Sequence, residues 1–332
     1  MRILVTGSAG HLGEALMHTL RSDGRDAFGV DIRQSRLTDA IGSITDRAFV
    51  RRCMEGVSAV VHAATLHKPH VGTHPRQAFV DTNVTGTLNL LEEAALARVS
   101  CVVFTSTTSA FGAALTPRTG HPAVWITEEV APVPKNIYGV TKVAAENLCE
   151  LFHRTHDLPC LVLRTSRFFP EEDDHAETRE SYAGENAKLN EFLYRRVDIE
   201  DVVSAHLLAL ERARSIGFGR YIISATTPFS ATDLGALRAD APSVVARLFP
   251  EYEEVYARRG WRMFPSIDRV YVNARARHDL GWRPRHDFGG LIARLREGGE
   301  VRSPMARLIG SKGYHHDARE KVLAPTDPLH RT

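Results

Sequence analysis

Short apolar runs alternate with helix-length amphipathic stretches along the first part of the chain. Ile3-Leu4-Val5, Ala27-Phe28-Gly29-Val30, Ala59-Val60-Val61, Val102-Val103-Phe104 and Leu161-Val162-Leu163 are short and rich in branched residues. That is the pattern of strands covered on both faces of a parallel sheet. The alternation predicts an α/β, doubly wound parallel sheet over residues 1–164, with ligand sites at the carboxyl ends of its strands. Long helices are expected from Arg76 to Ala97 and from Ile137 to Thr155; Pro132 and Pro134 precede the second and Pro159 follows it. Past Arg164 the pattern becomes irregular. Segments 165–200 and 224–300 are expected to form a smaller substrate lobe, with 201–223 returning to the core. From Val301 the chain is polar, carries His315, His316 and Pro325, and reads as a tail, 301–332, either partly disordered or an oligomer arm.

The first apolar run ends in Thr6-Gly7-Ser8-Ala9-Gly10-His11-Leu12-Gly13. A strand, a glycine-rich turn and a helix in that order seat a pyrophosphate. Gly7 permits the tight turn, Gly10 lets the phosphates approach the backbone, and Gly13 lets helix and strand pack closely. The helix starting near His11 points its free N–H groups at the anion. Asp31 closes the second run, where a carboxylate accepts bonds from the adenosine ribose hydroxyls and repels a 2′-phosphate. This is a Rossmann dinucleotide site, and it favours NAD over NADP, although Arg33 and Arg36 follow closely.

Tyr138-Gly139-Val140-Thr141-Lys142 places a phenol and an ammonium one helical turn apart on one face. A Tyr near its ordinary pKa of ~10 is a poor base at neutral pH. A neighbouring cation stabilises the phenolate, and Tyr138 then takes the proton of a substrate hydroxyl while hydride leaves for the nicotinamide.

Composition narrows the partners. The 332 residues carry 42 basic and 40 acidic side chains, net +2, interspersed and without a basic stripe, so nucleic acid is not an implied partner. No apolar run reaches membrane-spanning length and the first residues already read as a strand, so no membrane contact is expected. Cys53, Cys101, Cys149 and Cys160 lack C-x-x-C spacing and suit a reducing, cytoplasmic setting. His67, His70 and His74 sit in a Pro-containing loop without acidic partners, and no metal is expected there.

These motifs, taken together with several further segments, resemble an extended short-chain dehydrogenase/reductase of the NAD-dependent epimerase/dehydratase group, from Arg2 to about Arg296. The segments are Val61-His62-Ala63-Ala64, Asn83-Val84-Thr85-Gly86-Thr87, Thr105-Ser106-Thr107-Thr108-Ser109-Ala110-Phe111-Gly112, Arg196-Val197-Asp198-Ile199-Glu200-Asp201-Val202 and Gly281-Trp282-Arg283-Pro284. The resemblance implies Thr107 as the hydroxyl that holds the substrate oxygen and Lys142 as a partner of the nicotinamide ribose. It implies Asn83 as a support of Lys142 or a shaper of its helix. Gly7, Ala9, Gly10, His11, Leu12, Gly13, Asp31, Ile32, Arg33, Ala63, Ala64, Thr65, Asn83, Thr105, Tyr138 and Lys142 are the candidate cofactor contacts. It also implies a homodimer paired through the two long helices.

Departures from the family pattern point to the substrate. Thr108-Ser109 stand where family dehydratases carry an Asp-Glu pair, so elimination of water lacks its proton carriers. Arg167 stands where an Asn contacts a nucleotide-sugar diphosphate, and the span from Glu171 to Arg195 is short. Phe111 replaces a Tyr, and Ser43 an adenine-contacting Asp. Phe169-Pro170-Glu171 is more similar to the uronate dehydrogenase branch. Thr107, Thr108, Arg167 and Arg179 are therefore the candidate substrate contacts, with an arginine holding a carboxylate; for Arg167 an ion pair with Glu171 or Asp173 is the competing role. The expected activity is NAD-dependent oxidation of a hydroxyl on a small sugar, polyol or sugar acid. A nucleotide-sugar epimerase is the alternative.

Overall fold

The computed structural model describes residues 1–173 and 175–313. Its main sheet contains β1 (Arg2–Thr6), β2 (Ala27–Asp31), β3 (Ala40–Ile41), β4 (Val57–His62), β5 (Val102–Thr107), β7 (Cys160–Thr165) and β8 (Phe218–Ile223). The strand order is β3-β2-β1-β4-β5-β7-β8, and every neighbouring pair is parallel. A separate parallel pair joins β6 (Val124–Ile126) to β9 (Arg269–Tyr271), far apart in sequence.

Alternation along the strands divides the buried side chains between two cores. Ile3, Val5, Val61, Val103, Leu161 and Leu163 pack on the side of helices His11–Ser22 and Ile199–Ile216. Leu4, Val60, Val102, Phe104 and Val162 face the other side, against Leu90, Leu91, Cys149 and Phe152. Successive strand residues point to opposite faces, and a sheet buried on both sides needs both sets apolar. A third core, with Leu189, Phe192, Leu237, Val245, Tyr256 and Ile292, is built mainly from segments after β7.

The strand order reverses between β1 and β4, which opens a crevice at their carboxyl ends. The helix Ile137–His156 begins at Asn136, whose side chain accepts a bond from Gly139 N at 3.0 Å, and ends at Asp157 in the left-handed region. The single helix expected over 76–97 is instead interrupted. Arg76–Phe79 passes into a wide π turn, Val80–Thr85, before Gly86–Leu96 continues. Such turns are rare and occur often at functional sites; this one carries Asn83.

The chain after 301 also differs from the expected tail. Val301 is buried in the third core, Ser303 caps a helix Pro304–Ile309, and Ile309 joins the core beside His11–Ser22. Two well-spaced apolar side chains anchor a segment that composition alone reads as polar. His315, His316 and Pro325 lie outside the described residues. Among the described residues, no helix is long and apolar enough to cross a membrane.

Candidate active site

The crevice at the end of β1 is a cleft of about 290 Å³. Gly7 sits at φ +76°, and a Cβ there would meet Ala64 N at 2.8 Å. A Cβ on Gly13 would fall 1.9 Å from the Gly7 carbonyl oxygen. These contacts make glycine obligatory at both positions, and the backbone cradle they leave is what a pyrophosphate requires. Asp31 Oδ2 accepts from Ala9 N at 3.0 Å and Oδ1 from Arg33 N at 2.9 Å, which holds the carboxylate at the strand end. Gly7, Ala9, Gly10, His11, Leu12, Gly13, Asp31, Ile32, Arg33, Ala63, Ala64, Thr65, Thr105, Tyr138 and Lys142 all line this cleft. The residues present therefore fit a dinucleotide.

Asn83 does not line the cleft wall; it braces it. Its Oδ1 accepts from Thr65 Oγ1 at 2.9 Å and Leu66 N at 2.8 Å, while Nδ2 donates to Leu66 O at 2.9 Å and Thr141 Oγ1 at 3.0 Å. It thus ties the loop after β4 to the helix bearing Tyr138 and Lys142, with Thr141 as the contact rather than Lys142. Behind it runs a buried line of bonds. Ala64 N donates to Thr6 Oγ1 at 3.1 Å, Thr6 Oγ1 meets His62 Nδ1 at 2.8 Å, His62 Nε2 meets Thr87 Oγ1 at 2.9 Å, and Thr87 donates to Asn83 O at 2.7 Å. Each hydroxyl has one proton, so the imidazole must carry its own on Nε2. Burial, with the nearby charge of Lys142, pushes His62 down to about 3 and keeps it neutral.

Tyr138 and Lys142 come together as spaced, but at rest they do not act on each other in the expected way. Lys142 is 2% exposed; its Nζ donates to Thr105 O at 2.6 Å and sits 4.1 Å from the Phe104 ring centroid. Burial pushes it down to about 7, with the Glu146 carboxylate one turn further on opposing that shift. Tyr138 is pushed up to about 12 by burial, against a hydrogen bond with Thr107. The lowered phenol expected from sequence is thus absent at rest, because desolvation of the ring prevails. Glu146 is held in turn by Arg164, with Nη2 to Oε2 at 2.7 Å, by Arg220 at 3.3 Å and by Ser106.

A second cavity, of about 240 Å³, adjoins the first at Tyr138. Thr107, Thr108, Ser109, Asn136, Ser166 and Glu171 contribute to its wall. Arg167 reaches this wall, but its Nη1 is bonded to Asp173 Oδ2 at 2.6 Å and lies 3.5 Å from Glu191. Arg179 lines a small neighbouring cavity and donates to Asp173 O at 2.6 Å. Phe168, Phe169 and His67 line both large cavities. His67 stacks on Phe169, with ring centroids 5.5 Å apart, and packs against His70 at 4.4 Å. Sequence spacing leaves His67, His70 and His74 as a loop; the structure makes that loop a wall of the cofactor cleft. The one grouping of described residues close enough to share a cation is Asp198, Glu200 and His286. Its oxygens are engaged by Ser303 Oγ, Glu200 N and Met305 N, and His286 bonds Glu200.

The model of the NAD-dependent epimerase/dehydratase family matches residues 3–223. The chain belongs to that family. It is accordingly an NAD-dependent enzyme of the extended short-chain dehydrogenase/reductase type. It is 29% identical over 325 residues to a UDP-glucose 4-epimerase of Mycolicibacterium smegmatis, covering 90% of this chain and 98% of that one. It is 29% identical over 178 residues to an NAD-dependent glucose-6-phosphate dehydrogenase of Haloferax volcanii, covering 49% of this chain and 66% of that one. Among solved structures, a short-chain dehydrogenase/reductase superfamily protein of Agrobacterium tumefaciens with bound NAD superposes with a TM-score of 0.62. It is 23% identical, with 98% of each chain covered, and shows the shared fold.

Proposed function

We propose that this enzyme oxidises a hydroxyl of a small sugar, polyol or sugar acid with NAD and releases NADH. The observation that carries this reading is the cavity beside Tyr138. Its wall includes Ser166 and Glu171, whose Oγ and Oε2 are buried atoms with no hydrogen-bond partner among the described residues. Buried polar atoms are rarely left unpaired, and a hydroxyl-rich ligand supplies the missing partners.

In this reading NAD, when bound in the cleft, accepts hydride from the substrate carbon. Thr107 holds the substrate oxygen, and Tyr138, having first lost its own proton to solvent as a phenolate stabilised by Lys142, takes the substrate proton at the phenolic oxygen. Lys142 keeps a positive charge beside the phenol, and Glu146 opposes the burial that would discharge it. Phe168, Phe169 and His67 keep water from the junction of the two cavities. Asp31 favours NAD over NADP. The segment 171–195 supports a small substrate, since it folds into the short helices Ala176–Ser181 and Gly184–Phe192 against an ionic cluster.

The likeness to UDP-glucose 4-epimerase along nearly the whole chain favours a second reading, in which hydride returns to the opposite face and NAD stays bound. Aldoses, uronates and UDP-sugars incubated with NAD and followed at the nicotinamide absorbance distinguish the two. Stoichiometric NADH with oxidised product supports the dehydrogenase. Interconversion of UDP-sugars without net NADH supports the epimerase.

We also infer a homodimer through the helices Gly86–Leu96 and Ile137–His156, where Leu96, Val140 and Leu151 stand exposed. Light scattering at micromolar concentration tests it; a monomer there overturns it. The four buried free thiols fit a reducing, cytoplasmic compartment.

A further inference from the structure

Glu171 divides its two oxygens. Oε1 meets His11 Nε2 at 2.9 Å, accepts from Ser311 Oγ at 2.9 Å and accepts from Lys312 N at 3.0 Å. Those partners belong to two separate parts of the chain. His11 opens the helix that follows the glycine turn. Ser311 and Lys312 belong to the C-terminal segment, and Lys312 Nζ also bonds Glu14 on that same helix. Just before Glu171, Phe169 packs edge-on against His11, with centroids 5.2 Å apart, and Phe168 and Phe169 line the cofactor cleft. Burial works to raise Glu171, but its pairing with His11 and the Lys312 backbone N–H prevail and hold it down at about 2.

We propose that Glu171 is a positioning residue for the cofactor cleft, and that the C-terminal segment Gly310–Gly313 is a strap that locks it there. The strap does not line the cleft. It acts by pinning the segment 168–171 against the first turn of the phosphate-binding helix, so the aromatic wall stays closed over the dinucleotide. Cofactor exchange then requires the strap's contacts to Glu171 and Glu14 to break. This rests on the contacts of Glu171 Oε1, whereas the substrate reading rests on Oε2 and Ser166 Oγ; NADH release measured without sugar tests the first, and the substrate screen with the native protein tests the second.

Two roles for Glu171 predict opposite signs. A carboxylate that merely sat near the phosphates would repel them, and its removal would slow NADH release. A positioning carboxylate does the reverse. The experiment is displacement of NADH by excess NAD, followed by nicotinamide fluorescence in a stopped-flow instrument, with thermal unfolding recorded for each variant. Glu171→Ala is expected to speed NADH dissociation about fivefold or more, the effect of losing roughly one net hydrogen bond. Glu171→Gln, which retains an acceptor for Ser311 and Lys312 N, is expected to stay within about twofold of the native rate. Lys312→Ala is expected to speed dissociation about twofold to fivefold without additivity to Glu171→Ala, because both loosen one contact. Unchanged or slower release from Glu171→Ala, a Gln variant as fast as the Ala variant, or a silent Lys312→Ala each overturns the proposal. If Glu171→Ala does not fold, the Gln and Lys312 variants decide it.

Discussion

In the dinucleotide half, the buried polar groups around the site are mostly neutral and neighbour a motif. Thr6, His62, Thr87 and Asn83 form one line of bonds beside the glycine turn, and His62 stays uncharged. The buried charges of this half, Lys142, Glu146 and Arg164, lie along one helix and strand, whereas in the substrate lobe a denser group of charges gathers on one carboxylate. Glu191, 2% exposed, takes Arg195 at 2.8 Å and Arg196 at 2.7 Å, with Arg167 at 3.5 Å, while Asp173 takes Arg167 at 2.6 Å. The contrast has a physical basis. A glycine turn binds anions through backbone dipoles and needs no charged side chain, whereas an irregular lobe with few long helices uses ion pairs to set its geometry. Such pairs gain little when intact and cost much when one partner is lost.

The largest effect should come from the chemistry that spans both halves. Tyr138→Phe keeps the ring packing and removes the proton acceptor, so kcat should fall by ~10²–10⁴ while NADH affinity holds. Turnover near the native level, measured on whichever substrate the screen identifies, would remove Tyr138 from the mechanism.

The contrast itself is broken most directly at Glu191. Glu191→Ala leaves three arginines around a vanished carboxylate and should cost about 3–5 kcal/mol in denaturant unfolding. NADH binding should survive if the lobe alone loosens. A change under about 1 kcal/mol would mean that the cluster is no more than a surface network.

Acid sharpens it next. His62 is held down from 6.5 to about 3, so the folded form resists a proton that the unfolded chain accepts; its contribution is complete above pH 6.5 and is lost as pH falls toward 3. Glu191, with burial opposing and the arginines prevailing, is held down from 4.5 to about 2, so its contribution is lost only between those values. Hydrogen exchange read separately in β4 and in Gly184–Phe192 should therefore show the dinucleotide half weakening first. Simultaneous weakening, or the lobe yielding first, would contradict this order.

The smallest effect concerns the cofactor. With Asp31 fixed by Ala9 N and Arg33 N, NAD should bind about tenfold more tightly than NADP. Equal binding by calorimetry would mean that Arg33 and Arg36 offset the carboxylate.

Much of the dinucleotide half was legible in the residues, because local chemistry dictates it. Strand alternation requires two apolar cores, and the tight turn between Gly7 and Gly13 admits no Cβ at either end. Helical periodicity alone brings Tyr138 and Lys142 to one face. The titration of that pair was not legible, since it depends on how much water the fold removes from each group. Neither was the role of Asn83, because a π turn and the reach to Thr141 are products of packing. The substrate lobe was least legible of all. Arg167 reads equally as a carboxylate holder or an ion-pair partner until Asp173 and Glu191 are seen beside it. Glu171 meets His11 and Lys312 across 160 and 141 positions of sequence. Local motifs reflect backbone geometry, which neighbouring residues set by themselves. Long-range ion pairs and buried titrating groups depend on which distant segments exclude water together, and only the folded chain decides that.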